Sequence, residues 1–524
     1  MQSEPGASRS TWMDTTRSTI GQDLAGDLTT DVCVIGAGVS GVSVARALLR
    51  EGHTVVILDD GPVGCGETSR STAHITTAID GGYARLEHLH GEASAMLAQQ
   101  SHAAAIEWID EIVREDHIDC DFRRLDGFLF AASGAPPEEL TREFDAATRA
   151  GARVVALDRP PFPAPGFEAC LHFSDQAQLH PLRYLDGLSA AFVRLGGRIF
   201  HNAHARAVHD GEPVRIEVEG GRVVTARSVV IATHSPFTTL VAMHTKQAAY
   251  RTFVVAADCP RGSVPQALIW DTADPYHYVR IDPARAEDEC DLLLVGGEDH
   301  KTGQADDADE RYARLELWMR EHFPMAGPIR RRWSGQLLET LDHLAYIGLQ
   351  PGAKHVYLIT GDSGMGFTHA AIAAMLLPDA LAGREHKWAK LYAADRKPLR
   401  AANDYLRENL NVAAQFADLV KPGEAASVDD IPRESGAIVR RGLHLVAAYR
   451  DGDGTLHERS AVCTHLGCVV HWNSTESSWD CPCHGSRFDT AGCVLAGPAT
   501  KPLATAHPSE SEPVVVANEN ASSG

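Results

Sequence analysis

The sequence predicts an α/β fold over most of the chain and a small all-β module at its C-terminal end. Three observations carry this. A short apolar strand runs into a glycine motif and a helix at residues 31–49. Stretches between 248 and 345 alternate in strand fashion, as in Thr252-Phe-Val-Val-Ala256 and Leu292-Leu-Leu-Val295, and read as an antiparallel sheet. Two short loops rich in Cys and His lie within the last ninety or so residues, among short β-like runs.

With 524 residues the chain has room for two to four domains and large cores. Apolar residues make up 44% and charged ones 23%, ordinary values for a globular protein. Lys and Arg total 48 against 70 Asp and Glu, a formal charge of −22, which argues against nucleic-acid or anionic-membrane partners. The segment from Met1 to Thr30 has no secretory apolar core, and Arg9 and Arg17 form no twin-arginine pair. The longest apolar run, Ala370 to Leu377, is too short to cross a bilayer and meets Pro378 and Asp379. A soluble, cytoplasmic protein is expected. Seven of the 11 cysteines, from Cys33 to Cys493, are scattered singly and read as free thiols. There are no internal repeats and no low-complexity tract.

Asp31-Val-Cys-Val-Ile-Gly36 reads as a buried strand ended by glycine. Gly36-Ala-Gly38-Val-Ser-Gly41 then opens a helix with Val42, Ala45, Leu48 and Leu49 on its apolar face and Gly52 placed to cap it. A second strand, Thr54-Val-Val-Ile-Leu58, ends at Asp59 and Asp60. The glycines allow a tight turn, close approach of a pyrophosphate, and close packing of helix on strand. Asp59, 23 residues past Gly36, is placed to hold a ribose diol. Gly66-Glu-Thr68-Ser69-Arg-Ser-Thr72 is a polar run of small residues, which as such is also the composition of a solvated loop. Asn202 to Val208 and Ser228-Val-Val-Ile-Ala232-Thr233 read as later strands. Val356-Tyr-Leu-Ile-Thr360 ends in Gly361-Asp362-Ser-Gly364-Met365-Gly366-Phe-Thr368, which opens a helix through Leu377. A glycine loop at a helix N-terminus suits an anionic or carbonyl group.

These elements in this order resemble the D-amino-acid-oxidase-like FAD-dependent oxidoreductases, over about residues 30–385. Arg332-Trp333-Ser-Gly335 and the run from Leu341 to Gly348 match the approach to the family's last motif. The resemblance implies a Rossmann-like FAD-binding domain with an interleaved antiparallel-sheet substrate domain. It puts Gly36, Gly38, Gly41 and Asp59 at the ADP half of FAD, and Thr68, Ser69 and Thr72 beside the pyrophosphate and ring. Ala205, Ala232 and Thr233 fall at the later strands, and Gly361, Asp362, Gly364, Met365, Gly366 and Thr368 at the ribityl and ring end. No second complete dinucleotide fingerprint is present, so no separate NAD(P)H domain is expected.

Two stretches of the substrate domain carry more chemistry than a sheet needs: Tyr276-His277-Tyr278-Val-Arg280 and Gly296-Gly297-Glu298-Asp299-His300-Lys301. Alternation puts Tyr276, Tyr278 and Arg280 on one face and His277 on the other. Tyr and Arg together can clamp a carboxylate, and a structural ion-pair cluster is the alternative. His277, Tyr278, Arg280, Asp299 and His300 are the candidate catalytic residues. The glycine pair reads as a close backbone approach to a ligand.

The chain from Lys387 to about Val420 looks helical, a linker follows to Pro432, and Arg440 to Tyr449 starts the β-rich module. There, Cys463-Thr-His465-Leu-Gly-Cys468 is answered by Cys481-Pro-Cys483-His484-Gly-Ser486. Paired loops giving one Cys and one His each suit a two-iron cluster with unlike irons. Tetrahedral zinc is the alternative, and it leaves Cys468 and Cys483 unused. The stretch resembles a Rieske [2Fe–2S] domain of the kind found in cytochrome bc complexes. The resemblance assigns Cys463 and Cys481 to one iron and His465 and His484 to the other. It pairs Cys468 with Cys483 as a disulfide, places Asn473 and Trp479 in the connection, and makes Gly497-Pro498-Ala499 the covering loop. Phe488 stands where those complexes usually carry a Tyr that bonds a ligand sulfur, so a lower potential is expected, with Ser486 still able to donate.

The expected organisation is an N-terminal extension (1–28), an FAD-dependent oxidoreductase (29–385), a helical connection and linker (386–431) and a Rieske domain (432–524). Within the second, FAD-binding segments cover about 29–84, 170–240 and 340–385, and the substrate domain about 85–169 and 241–339. The expected function is oxidation of a small amine or amino-acid-like substrate by hydride transfer to FAD, with electrons relayed through the cluster to an external one-electron acceptor. Two alternatives stand beside it: a reductase or monooxygenase with electrons entering from an external donor through the cluster, and a redox sensor or electron carrier without its own substrate.

Overall fold

The computed structural model describes residues 6–136, 138–163, 165–238, 243–284, 289–397 and 399–506. Two nine-stranded sheets and two small sheets organise them. In the first sheet, strands Arg198–His201, Val55–Leu58, Leu28–Ile35, Arg222–Ile231 and Val356–Thr360 lie side by side in parallel. Their apolar, β-branched sequences suit burial on both faces. Helices Val39–Arg50, Glu92–Glu115, Pro181–Arg194 and Gly366–Leu381 pack on one face and close the largest core. The last of these continues one turn past the expected Leu377, with Pro378 inside it.

The second sheet runs Ile329–Thr340, Gln247–Pro260, Cys290–Lys301, His277–Asp282, Ala267–Asp271, Arg123–Phe130, Cys170–Gln178 and His74–Ile75, with Val154–Leu157 on the Cys170 strand. Every pairing is antiparallel except Ala267–Asp271 with Arg123–Phe130, which is parallel. Strand Cys170–Gln178 belongs here, although sequence placed it in an FAD-binding segment. Helix Ala308–His322 covers the outer face of this sheet.

The stretch expected to be helical from 387 to 420 breaks into Ala389–Tyr392, Leu399–Ala401, Ala402–Gln415 and Phe416–Val420. The C-terminal module follows as two small antiparallel sheets around Trp472, Trp479 and Phe488. Part of the N-terminal extension is built into the body: Trp12 is buried and donates its indole N–H to Ser71 O at 2.9 Å.

The C-terminal module is seated firmly on the larger body. Glu476, fully buried, accepts from Ser334 Oγ and Ser8 Oγ and lies 3.3 Å from the Arg70 guanidinium and 3.5 Å from that of Arg251. Asp480 beside it pairs with Arg487 at 3.1 Å. Gln336 Nε2 donates to Gly485 O at 3.0 Å, and Gln304 Nε2 to Pro482 O at 3.4 Å.

Candidate active site and metal centre

One cavity of about 1790 Å³ runs from the first glycine motif to the loop at Gly364. Every sequence-predicted FAD residue lines it except Gly41 and Thr368. Gly36 is at φ 111°, and a Cβ there would overlap Ala232 O. A Cβ on Gly41 would overlap Gly36 O, so that glycine lets the helix sit against the strand turn. Asp59 accepts from Ala37 N at 2.6 Å and Gly61 N at 2.8 Å, while Thr68 Oγ1 accepts from Val39 N at 3.1 Å. Burial, with Asp60 alongside, raises the Asp59 carboxyl to about 8. Asp362 Oδ1 and Thr368 Oγ1 are buried with no hydrogen-bond partner among the described residues. A long groove with a backbone-tight glycine end and orphaned polar atoms at the other fits an extended dinucleotide.

At the Gly364 end the cavity meets Asp80, Tyr276, Tyr278, Trp270 and Thr252. Measured from where a Gly364 side chain would begin, Asp80 Oδ2 is 3.8 Å away and the Tyr276 hydroxyl 3.9 Å, so both groups face one spot. Burial raises the Asp80 carboxyl above its ordinary range. Behind it, burial raises Asp299 to about 7, against the pull of the Thr252 hydroxyl. Glu339 is raised by burial and then by Asp80 and Asp299. This end of the cavity therefore carries clustered acids.

Of the five candidate catalytic residues, only Tyr278 lines the cavity. The other four do not line it. Arg280 is fully buried, and its guanidinium donates to Thr72 O and to Leu179 O at 3.0 Å and lies over Trp12. It holds the polar run at Thr72 in place and forms no carboxylate clamp with the tyrosines. His277 turns to the opposite face, where it stacks on Trp318 and pairs with Asp271 at 2.8 Å. His300 stacks on Phe253. Asp299 lies behind the cavity wall and acts on it through charge. The glycine pair makes room for aromatic neighbours: a Cβ on Gly296 would overlap the Tyr278 ring, and one on Gly297 would overlap Tyr276 O. Asp80 and Glu339 were missed, although Asp80-Gly81-Gly82 is a turn signal ahead of a helix.

In the C-terminal module the two loops fold alike. Gly467 N donates to Cys463 O and Gly485 N to Cys481 O, both at 3.0 Å, and both glycines have positive φ. Cys468 and Cys483 form a disulfide between the loops. Cys463 and Cys481 are buried free thiols, and the His465 and His484 rings lie 5.0 Å apart. His484 Nδ1 is buried with no hydrogen-bond partner among the described residues. The Ser486 hydroxyl and the backbone N–H groups of His465 and Leu466 are directed at the Cys463 sulfur. The N–H groups of Cys483 and His484 are directed at Cys481. Two thiols and two imidazoles closing on one space, with donors turned toward both sulfurs, fit a cluster with unlike irons. Phe488 is wholly buried and offers no donor. Ala499, in the covering loop, donates its N–H to Ser486 Oγ at 3.1 Å.

Comparison with known proteins agrees with this division. Residues 31–380 match the FAD-dependent oxidoreductase family model (DAO), and residues 421–507 match the Rieske [2Fe-2S] domain model. YhfW of Bacillus subtilis, a protein named for a Rieske 2Fe-2S centre, is 31% identical over 92% of this chain and 94% of its own length. Cytochrome b6-f complex iron-sulfur subunit 1 from the Cyanophora paradoxa cyanelle is 38% identical over 23% of this chain and 46% of its own. Glycine oxidase from Geobacillus kaustophilus superposes with a TM-score of 0.59 at 17% identity, covering 71% of this chain and 99% of that one. L-amino acid deaminase from Proteus vulgaris gives 0.59 at 16% identity, covering 72% and 97%. Among the described residues no helix is long and apolar enough to cross a membrane. The chain belongs to the FAD-dependent oxidoreductases of the D-amino-acid-oxidase type and carries a C-terminal Rieske domain, with FAD and a [2Fe–2S] cluster as its cofactors.

Proposed function

We propose that this chain oxidises a small amine or amino-acid-like substrate at the Gly364 end of the groove and passes the electrons to an external one-electron acceptor. FAD bound in the groove supplies a hydride acceptor, and the cluster supplies a one-electron carrier. Gly36, Gly38, Asp59, Thr68 and the Gly361–Gly366 loop would hold the flavin nucleotide, with Gly41 and Thr368 in support. Cys463, Cys481, His465 and His484 would hold the irons.

The observation that carries the amine reading is the acidic, aromatic character of the cavity end. Asp80, backed by Asp299 and Glu339, draws in a substrate ammonium, while the Tyr276 and Tyr278 rings favour a cation held against their faces. Hydride loss needs a neutral amine. A buried carboxylate with a raised pKa is a competent acceptor for the ammonium proton. Arg280, committed to backbone carbonyls, does not supply the carboxylate clamp expected from sequence.

The test is anaerobic mixing of the holoprotein with a panel of primary and secondary amines, amino acids, NADH and NADPH, following flavin bleaching and the reduced-cluster EPR signal together. Bleaching by an amine with no response to nicotinamides is expected. Rapid reduction of both centres by NADH or NADPH instead would replace this reading with the reductase or monooxygenase one.

A further inference from the structure

His244 was not singled out by sequence and has no part in the chemistry above. It is 3% exposed and begins a short turn, His244–Lys246, leading straight into strand Gln247–Pro260 of the second sheet. Its ring lies 4.9 Å from that of His465 and 5.6 Å from that of His484, edge-on to both. The larger body thus lays one imidazole against both candidate iron ligands. Three residues on, Gln247 Oε1 accepts from Thr360 Oγ1 at 3.1 Å, and it would sit 3.0 Å from a side chain on Gly361. Thr360 and Gly361 line the ring end of the groove. A short, packed path therefore joins the cluster loops to the flavin groove within one chain.

Two independent features fix the module in this position. The second cluster loop is seated on the sheet so closely that a Cβ on Gly303 would lie 2.8 Å from Asp480 O and 2.9 Å from Pro482 N. The covering loop itself lines the groove, through Gly497 and Ala499.

We propose that His244 and Gln247 bridge the two cofactors of one chain, so that the cluster serves its own flavin from this docked position. His244 is a positioning residue: it orients both imidazoles and fills the gap through which an electron must pass. The step moves one electron, which leaves the reduced flavin and turns one ferric iron ferrous, and a single event needs no other reactant. The proposal rests on the cluster ligands proposed above and is independent of the amine reading.

The experiment photoreduces the flavin of the holoprotein anaerobically and follows cluster reduction by absorbance, with cluster EPR and midpoint potential measured separately. Wild type is expected to show a first-order transfer whose rate does not change with protein concentration. His244→Leu is expected to slow it several-fold and to alter the reduced-cluster EPR line shape, with iron and flavin content retained. Gln247→Met, whose native side chain bonds Thr360 at the groove end of the path, is expected to slow transfer without moving the EPR spectrum, and it decides the matter if His244→Leu fails to assemble a cluster. Wild-type rates in both variants would overturn the bridge. A wild-type rate that rises with concentration would overturn own-chain transfer.

Discussion

The seat of the C-terminal module makes the most demanding stability prediction. Glu476 belongs to the module, while Ser8, Arg70, Arg251 and Ser334 belong to the body, so the carboxylate is the centre of the interface. Burial works to raise its pKa, but Arg70, Arg251 and Arg487 outweigh burial and hold it at about 2, from an ordinary 4.5. A difference of that size corresponds to roughly 3 kcal/mol of stability. Because the folded value is the lower one, this contribution is complete above about pH 4.5 and is lost as the pH falls toward 2. Glu476→Ala removes it at every pH and leaves the buried guanidiniums of Arg70, Arg251 and Arg487 without the carboxylate they share. Breaking a buried pair from one side costs about 3–5 kcal/mol. The assay is urea denaturation of the holoprotein at neutral pH, following visible circular dichroism of the cluster and flavin fluorescence in the same samples. In Glu476→Ala the cluster transition should move to lower urea and separate from the flavin transition. Coincident transitions at wild-type midpoints, with a change under about 0.5 kcal/mol, would refute the claim that this network holds the module in place.

Three further outcomes follow from the site. Phe488→Tyr should raise the cluster midpoint potential, because a hydroxyl is added near the sulfurs where the native ring offers none; voltammetry of the two proteins checks it. Asp80→Asn should slow amine-driven flavin bleaching by at least about tenfold and flatten its pH profile. In the native protein the rate should climb with pH through a carboxyl ionisation above the ordinary range, since burial favours the neutral acid. Arg280→Met should leave amine affinity near wild type while destabilising the protein by on the order of 3 kcal/mol, because the carbonyls of Thr72 and Leu179 lose their buried donor. Equilibrium dialysis and thermal melts separate the two effects.

Features set by neighbours in sequence were legible before any coordinates. The strand–Gly36–helix unit, the acid at Asp59, the Gly361–Gly366 loop and the paired cluster loops each depend on conformations that a few adjacent residues impose. Glycines at positive φ, short β-branched strands and Cys/His spacings of one or two residues encode them directly. Alternation also placed Tyr278 and Arg280 on one face of strand His277–Asp282 and His277 on the other, while Tyr276 precedes the strand.

What the tertiary structure alone decided is where those faces point and what they meet. Arg280 shares a face with Tyr278 but meets backbone carbonyls, because the turn at Thr72 arrives there from more than two hundred residues away. Asp80 and Glu339 are unremarked in sequence, and with Asp299 they become an acidic cluster when three separate segments converge on one low-dielectric cavity end. His244 and Glu476 gain their roles across the seam between module and body. Strand periodicity fixes a side chain's face, whereas its partner is chosen by packing between distant segments, and sequence spacing carries no record of that choice.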